Sequence, residues 1–170
     1  MASPRMWWDI SRASPPDALP VPVDGVRARQ IADTFGAPRG TDRTHQGVDI
    51  FAARGTPVRS ATRGIVVAIR DNGLGGRQVW VLGPGRERHY YAHLDDWAPD
   101  LAVGRWVDEG EVLGFVGNTG NARTTRPHLH FETRPLALGL AAIDPVTILP
   151  ARSGRGSDAR ARRAFTASRR

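Results

Sequence analysis

Five histidines are spread unevenly over 170 residues. His128 and His130 stand one residue apart in the apolar, strand-like run "TTRPHLHFET". In a strand, side chains i and i+2 share a face. Both imidazoles therefore point one way, while Leu129 and Phe131 point the other, toward a core. Such a pair serves either packing, as two half-buried rings, or chemistry, with one ring holding a metal and the other handling protons. A second group, "HQGVD", puts His45 and Asp49 on one face if the segment is extended, and Gly47 leaves a gap between them. An imidazole and a carboxylate flanking a gap suit zinc, which takes His nitrogen and Asp oxygen at about 2.0–2.2 Å. A turn Asp beside a surface His is the plain alternative. Taken together, His45-x3-Asp49 and, about eighty residues on, His128-x-His130 offer three metal donors with one histidine to spare. Zinc sites that do chemistry use three protein donors and leave the fourth position to water.

The remaining histidines lie in "RHYYAHLDD", where His89, Tyr91 and His93 fall on one strand face. Periodicity does not choose between the two. His89 sits beside Glu87 and Arg88 next to a hairpin tip, where a solvated imidazole is expected. His93, deeper and followed by Leu94, is the better candidate for a site. Glu132 shares the face of His128 and His130; it is either the group that orients a ligand imidazole or an ordinary strand-end charge.

Composition narrows the chemistry further. The chain has no cysteine, which excludes disulfides, thiolate zinc ligands and thiol nucleophiles. Every one of its 24 basic residues is Arg, so no Lys-dependent mechanism is open to it. That rules out a lipoyl or biotinyl carrier domain, which needs an acceptor Lys. The net charge of +7 is concentrated at one end: residues 151–170 hold 7 Arg against Asp158 alone, whereas residues 1–150 hold 17 Arg against 16 acids. This low-complexity tail has too little apolar content to pack and is expected to be solvated and disordered. No basic stripe with interleaved aromatics marks the rest, so no nucleic-acid partner is expected.

The elements that must position these residues are short strands between turn signals, from about 25 to 150. Strand candidates are "GVDIF" (47–51), one or two within 56–73 where Gly64 suggests a bend, and a hairpin over 77–94 through Gly83-Pro84-Gly85. Two very short strands flank Asp108-Glu109-Gly110, and 128–134 forms another. Helix is minor: a weak hint at 26–35 and one turn before Asp144-Pro145. Residues 1–24, with prolines at 15, 16, 20 and 22, read as an extended lead-in without an apolar run of signal-peptide or membrane-spanning length. The expectation is a single, mainly β domain over 25–150, and a monomer.

With these residues assembled, the chain resembles the LytM/lysostaphin-type zinc metallopeptidases, the murein endopeptidase-like peptidoglycan hydrolases. The likeness runs from about Phe35 to Leu149. "HQGVDIFAARGTPVRSATRGIVV", "YAHL" and "GNTGNARTTRPHLHFE" resemble the family's three motifs in order. "GRWVDEGEVLGFVGNTG" resembles its G-x2-V-x2-G turn, and "IDPVTIL" its C-terminal end. The resemblance implies an antiparallel β-sheet in a barrel-sandwich arrangement with a groove. It implies zinc held by His45, Asp49 and His130, with His93 and His128 as the catalytic pair. The activity implied is cleavage of stem or bridge peptides of peptidoglycan by a metal-activated water, in the cell envelope or outside the cell. An inactive wall-hydrolase regulator of the same fold is the alternative, and a paired-His phosphocarrier leaves His45 and Asp49 unexplained. One departure stands out: Arg126 replaces the small residues usual before Pro127, which bears on substrate preference.

Overall fold

The computed structural model describes residues 1–136 and 142–149. Eight strands carry the fold: β1 (Val48–Phe51), β2 (Pro57–Arg59), β3 (Gly64–Asn72), β4 (Gly76–Leu82), β5 (Glu87–Trp97), β6 (Trp106–Val107), β7 (Val112–Val116) and β8 (His128–Pro135). They form one antiparallel sheet in the order β1-β8-β5-β4-β3-β6, and β7 pairs with both β2 and β5. Among the described residues the α-helices are α1 (Pro4–Arg12) and α2 (Pro145–Ile148). The mainly β expectation holds, and the expected strands and hairpin are present.

Alternation along β1 and β8 explains why this sheet has a dry face and a chemical face. Val48 pairs with Phe131 and Ile50 with Leu129, and all four are fully buried in the core. Burying each such side chain contributes roughly 1.5–3 kcal/mol. The intervening pairs, Asp49 with His130 and Phe51 with His128, necessarily lie on the opposite face. The same register that closes the core therefore assembles polar groups from distant parts of the chain. Tyr91 of β5 lies on the core side, and its hydroxyl accepts a hydrogen bond from the Ala61 amide (2.9 Å).

Three expectations need correction. The lead-in is not extended throughout: Pro4–Arg12 form α1, capped by Ser3 and started by a proline whose missing N–H costs nothing in the first turn. Its Ile10 is buried, and Leu19 and Val23 are buried further along; Leu19 N donates to Ile148 O (2.8 Å) and Val23 bridges Val58. The helical hint at 26–35 comes to one 3₁₀ turn, Ala28–Gln30, none of whose residues is buried. His89 is not solvated. It pairs with Val81 on one side and Thr133 on the other, deep in the sheet, and is fully buried with Nδ1 3.2 Å from Thr133 Oγ1. Its place between two flanking strands outweighs its place near the hairpin tip, and burial pushes its pKa down to about 4.

The helical turn expected before Asp144 falls mostly outside the described residues; a different turn, α2, follows Asp144, whose Oδ1 accepts from Val146 N (2.9 Å) to cap it. The Arg-rich tail over 151–170 lies outside the described residues.

Candidate metal centre

Each candidate residue reaches the cleft by a different device. Asp49 and His130 are cross-strand partners in β1 and β8. His45 lies just ahead of β1, at the base of a small loop closed by the Pro38–Thr44 bridge, and exchanges backbone hydrogen bonds with Gly36 and Ala37 (both 2.8 Å). The three donors converge: His45 Nε2 is 2.8 Å from His130 Nδ1, and Asp49 Oδ1 is 3.0 Å from the first and 3.1 Å from the second. The ligand-to-ligand edge of a tetrahedral site with bonds near 2.0–2.1 Å is about 3.3 Å. The triangle is therefore close to the size of one face of a zinc tetrahedron.

The outer hydrogen bonds fix which nitrogen faces inward. His45 Nδ1 lies 2.8 Å from the Thr34 carbonyl, which can only accept, and 3.0 Å from Arg39 Nη2, which can only donate; with the proton on Nδ1 serving the shorter contact, Nε2 keeps its lone pair. His130 is turned the other way: Nε2–H donates to Glu132 Oε1 (2.8 Å) and frees Nδ1. Glu132 is thus a buried partner of the ligand imidazole rather than a surface charge, and Arg134 Nε holds its other oxygen (2.5 Å). Burial disfavours the charged forms of both members of this pair. The hydrogen bonds prevail, raising the His130 pKa and lowering that of Glu132. Burial also opposes ionisation of Asp49. Hydrogen bonds from Arg39, and from His130 and His45 in their protonated forms, outweigh it and hold that carboxyl far below the ordinary carboxylate range; those imidazole protons leave when a metal takes the same nitrogens. With the Asp49 carboxylate and two imidazole nitrogens converging on it, and Glu132 behind His130, the position favours a cation, and these residue types suit zinc.

Gly47 has a different reason from the one its spacing suggested. A Cβ there would lie 2.2 Å from the Phe131 carbonyl oxygen and 2.7 Å from Glu132 Cγ. The gap between His45 and Asp49 admits β8 and its carboxylate, not the ion.

His93 shows where simple alternation fails. Tyr90 and Ala92 pair with Glu132 and His130 on the cleft face, so the next alternating residue, His93, belongs on the core face with His89 and Tyr91. His93 instead has a left-handed φ of 64°, at a point where the β4–β5 register shifts. This bulge turns its ring into the cleft, 5.1 Å from His128 and 5.8 Å from His130 between centroids. Both histidines of the pair are anchored alike: His93 Nδ1–H donates to Thr119 O (2.9 Å) and His128 Nδ1–H to Arg126 O (2.8 Å). Each Nε2 is left as the bare nitrogen. Burial first, then the neighbouring His130 and His128, pushes His93 down to about 4, so it is neutral at pH 7.

The cleft that holds all five residues has a volume of ≈ 660 Å³. Its walls include residues that sequence reasoning missed. Arg39 donates to Asp49 Oδ2, and no periodic signal marks it in its loop. Tyr90 stacks on its cross-strand partner Trp80 (4.2 Å) and meets His130 edge-on (5.9 Å). Burial, then the Glu132 charge, pushes the Tyr90 hydroxyl up to about 12.

Residues 43–145 match the sequence profile of Peptidase family M23, a span that holds all five candidate site residues. The chain belongs to this family. The M23 chain is 37% identical over 121 residues to the L-Ala–D-Glu endopeptidase of Bacillus subtilis, covering 67% of this chain and 36% of the relative. It is 36% identical over 124 residues to the DD-carboxypeptidase/endopeptidase Mpg of Neisseria meningitidis, covering 73% and 25% respectively. The M23 chain thus spans about a third or less of these curated relatives. Its fold matches the catalytic domain of lysostaphin from Staphylococcus simulans with a TM-score of 0.60 and 32% identity, over 68% of this chain and 87% of that one.

Proposed function

We propose that the chain is a zinc-dependent endopeptidase that hydrolyses peptide crosslinks of bacterial peptidoglycan. One observation carries the reading: three metal donors converge beside two imidazoles whose Nε2 atoms make no hydrogen bond among the described residues, that of His128 lying 3.8 Å from Asp49 Oδ1. His45, Asp49 and His130 are the residues that would hold the ion. When bound, zinc supplies Lewis acidity, making water acidic near neutral pH and polarising a carbonyl. The chain's own part is to place and move protons. One of His93 and His128 takes a proton from the attacking water at Nε2 and returns it to the departing amine. The other can donate to the oxyanion that develops on the scissile carbonyl only when it carries a second proton, on Nε2, since its Nδ1–H is committed to a backbone carbonyl. Carbonyl anchors at both Nδ1 atoms keep the two rings from rotating away.

The substrate class is drawn from the family and from the chain's likeness to an L-Ala–D-Glu endopeptidase and a DD-carboxypeptidase/endopeptidase. Action in the envelope or outside the cell follows from that substrate. No helix among the described residues is long and apolar enough to cross a membrane. The test is release of new amino termini from isolated cell walls by the purified, zinc-loaded protein, with a chelator abolishing it. Walls that yield no new termini would refute the activity.

A further inference from the structure

Arg126 is the departure from the family pattern, and the site as described makes no use of its side chain. Its backbone is tightly placed. The Arg126 carbonyl anchors His128 (2.8 Å), and the loop leading to it is pinned by Asn118, whose Nδ2 donates to the carbonyls of Arg123 (3.2 Å) and Thr125 (3.3 Å). Arg54 in turn donates to Asn118 Oδ1 (2.5 Å). The guanidinium of Arg126 lies over the ring of Phe51, 5.6 Å from its centroid. Phe51 is 47% exposed, although the other β1 residues are buried, and its ring lies 5.2 Å from that of His128. Arg39, Arg54 and Arg134 each have a carboxylate partner. Arg126 has none within 4.0 Å among the described residues. A charged fork braced on an aromatic face, fixed at its backbone and lacking an anion, is preorganised to receive a carboxylate.

Its position bounds how far that carboxylate lies from the scissile amide. Asp49 and Phe51 are two residues apart on β1, as are His130 and His128 on β8. The Phe51–His128 level therefore lies about 7 Å along the strands from the metal donors. An extended substrate covers that distance in about two residues.

We propose that Arg126, braced on Phe51, is a subsite that selects substrates carrying a free carboxylate within about two residues of the scissile amide. A neutral glycine bridge would gain nothing from it. The inference rests on the peptidase reading of the neighbouring cleft, which Phe51 adjoins through His128.

The test uses the full chain loaded with zinc and one synthetic peptidoglycan stem peptide in three forms: unmodified, amidated at its internal α-carboxylate, and amidated at its C-terminus. Affinity is measured by calorimetry, and cleavage is followed separately. The expected result is about tenfold weaker binding of one amidated form, which identifies the carboxylate that Arg126 reads. Arg126→Gln should bring that pair within about twofold of each other, and Arg126→Lys should restore part of the gap. Equal affinity of the wild-type chain for all three forms overturns the subsite, as does a gap that survives in Arg126→Gln. Discrimination without cleavage supports the subsite and counts against the peptidase reading alone.

Discussion

His45, Asp49 and His130 present lone pairs to one point, so they stand or fall as a set. Replacing His45 or His130 by Ala should remove about one metal per chain in elemental analysis; a variant that keeps its metal overturns the ligand assignment. Replacing His93 or His128 by Ala should leave the metal bound and lower wall cleavage by at least about 10²-fold. Full activity in either variant would remove it from the catalytic pair. Glu132 acts one bond further out, through His130 Nε2, and Glu132→Gln should weaken zinc binding by roughly 10–100-fold in chelator competition. The two-residue period of a strand makes the shared face of His128, His130 and Glu132 legible in sequence. Arg39 was not legible, because it comes from an irregular loop whose path depends on what it packs against.

At the level of elements, β5 does two jobs by breaking its own regularity. Its first part pairs with β8 and β4, its last residues pair with β7, and His93 sits at the break. A left-handed non-glycine residue costs about 1–2 kcal/mol, which the flanking ladders must sustain. In an ordinary strand Gly is less stable than Ala by roughly 0.5–1 kcal/mol. At position 93 the order should invert: His93→Gly should be more stable than His93→Ala in urea unfolding, and the opposite order would contradict the left-handed kink. Gly47→Ala should destabilise by about 1–3 kcal/mol or more, since its new methyl would meet the backbone of β8. The lead-in is a working part of the core, and Leu19→Ala should cost roughly 2–5 kcal/mol. A lowered melting temperature measures both.

Across the whole molecule, stability is coupled to acid through a residue that does no chemistry. His89 has an ordinary pKa of 6.5 when unfolded and about 4 in the fold, where burial excludes its charged form. Between those values the unfolded chain binds more protons, so stability is complete above pH 6.5 and falls as pH drops toward 4. The loss approaches about 3 kcal/mol. His89→Gln should flatten this segment of the pH profile in denaturant unfolding; an unchanged slope would assign the acid sensitivity to other groups. The sequence by itself determined the mainly β class and the strand candidates, because strand alternation and turn spacing are local properties; it named five candidate site residues, whose roles came from the family resemblance rather than from alternation. Tertiary structure alone decided that His89 is core and His93 is not, that Gly47 makes room for β8, and that Glu132 is buried against His130. Those outcomes depend on which strands flank a residue and where a ladder slips, and both are set by pairings between segments distant in the chain.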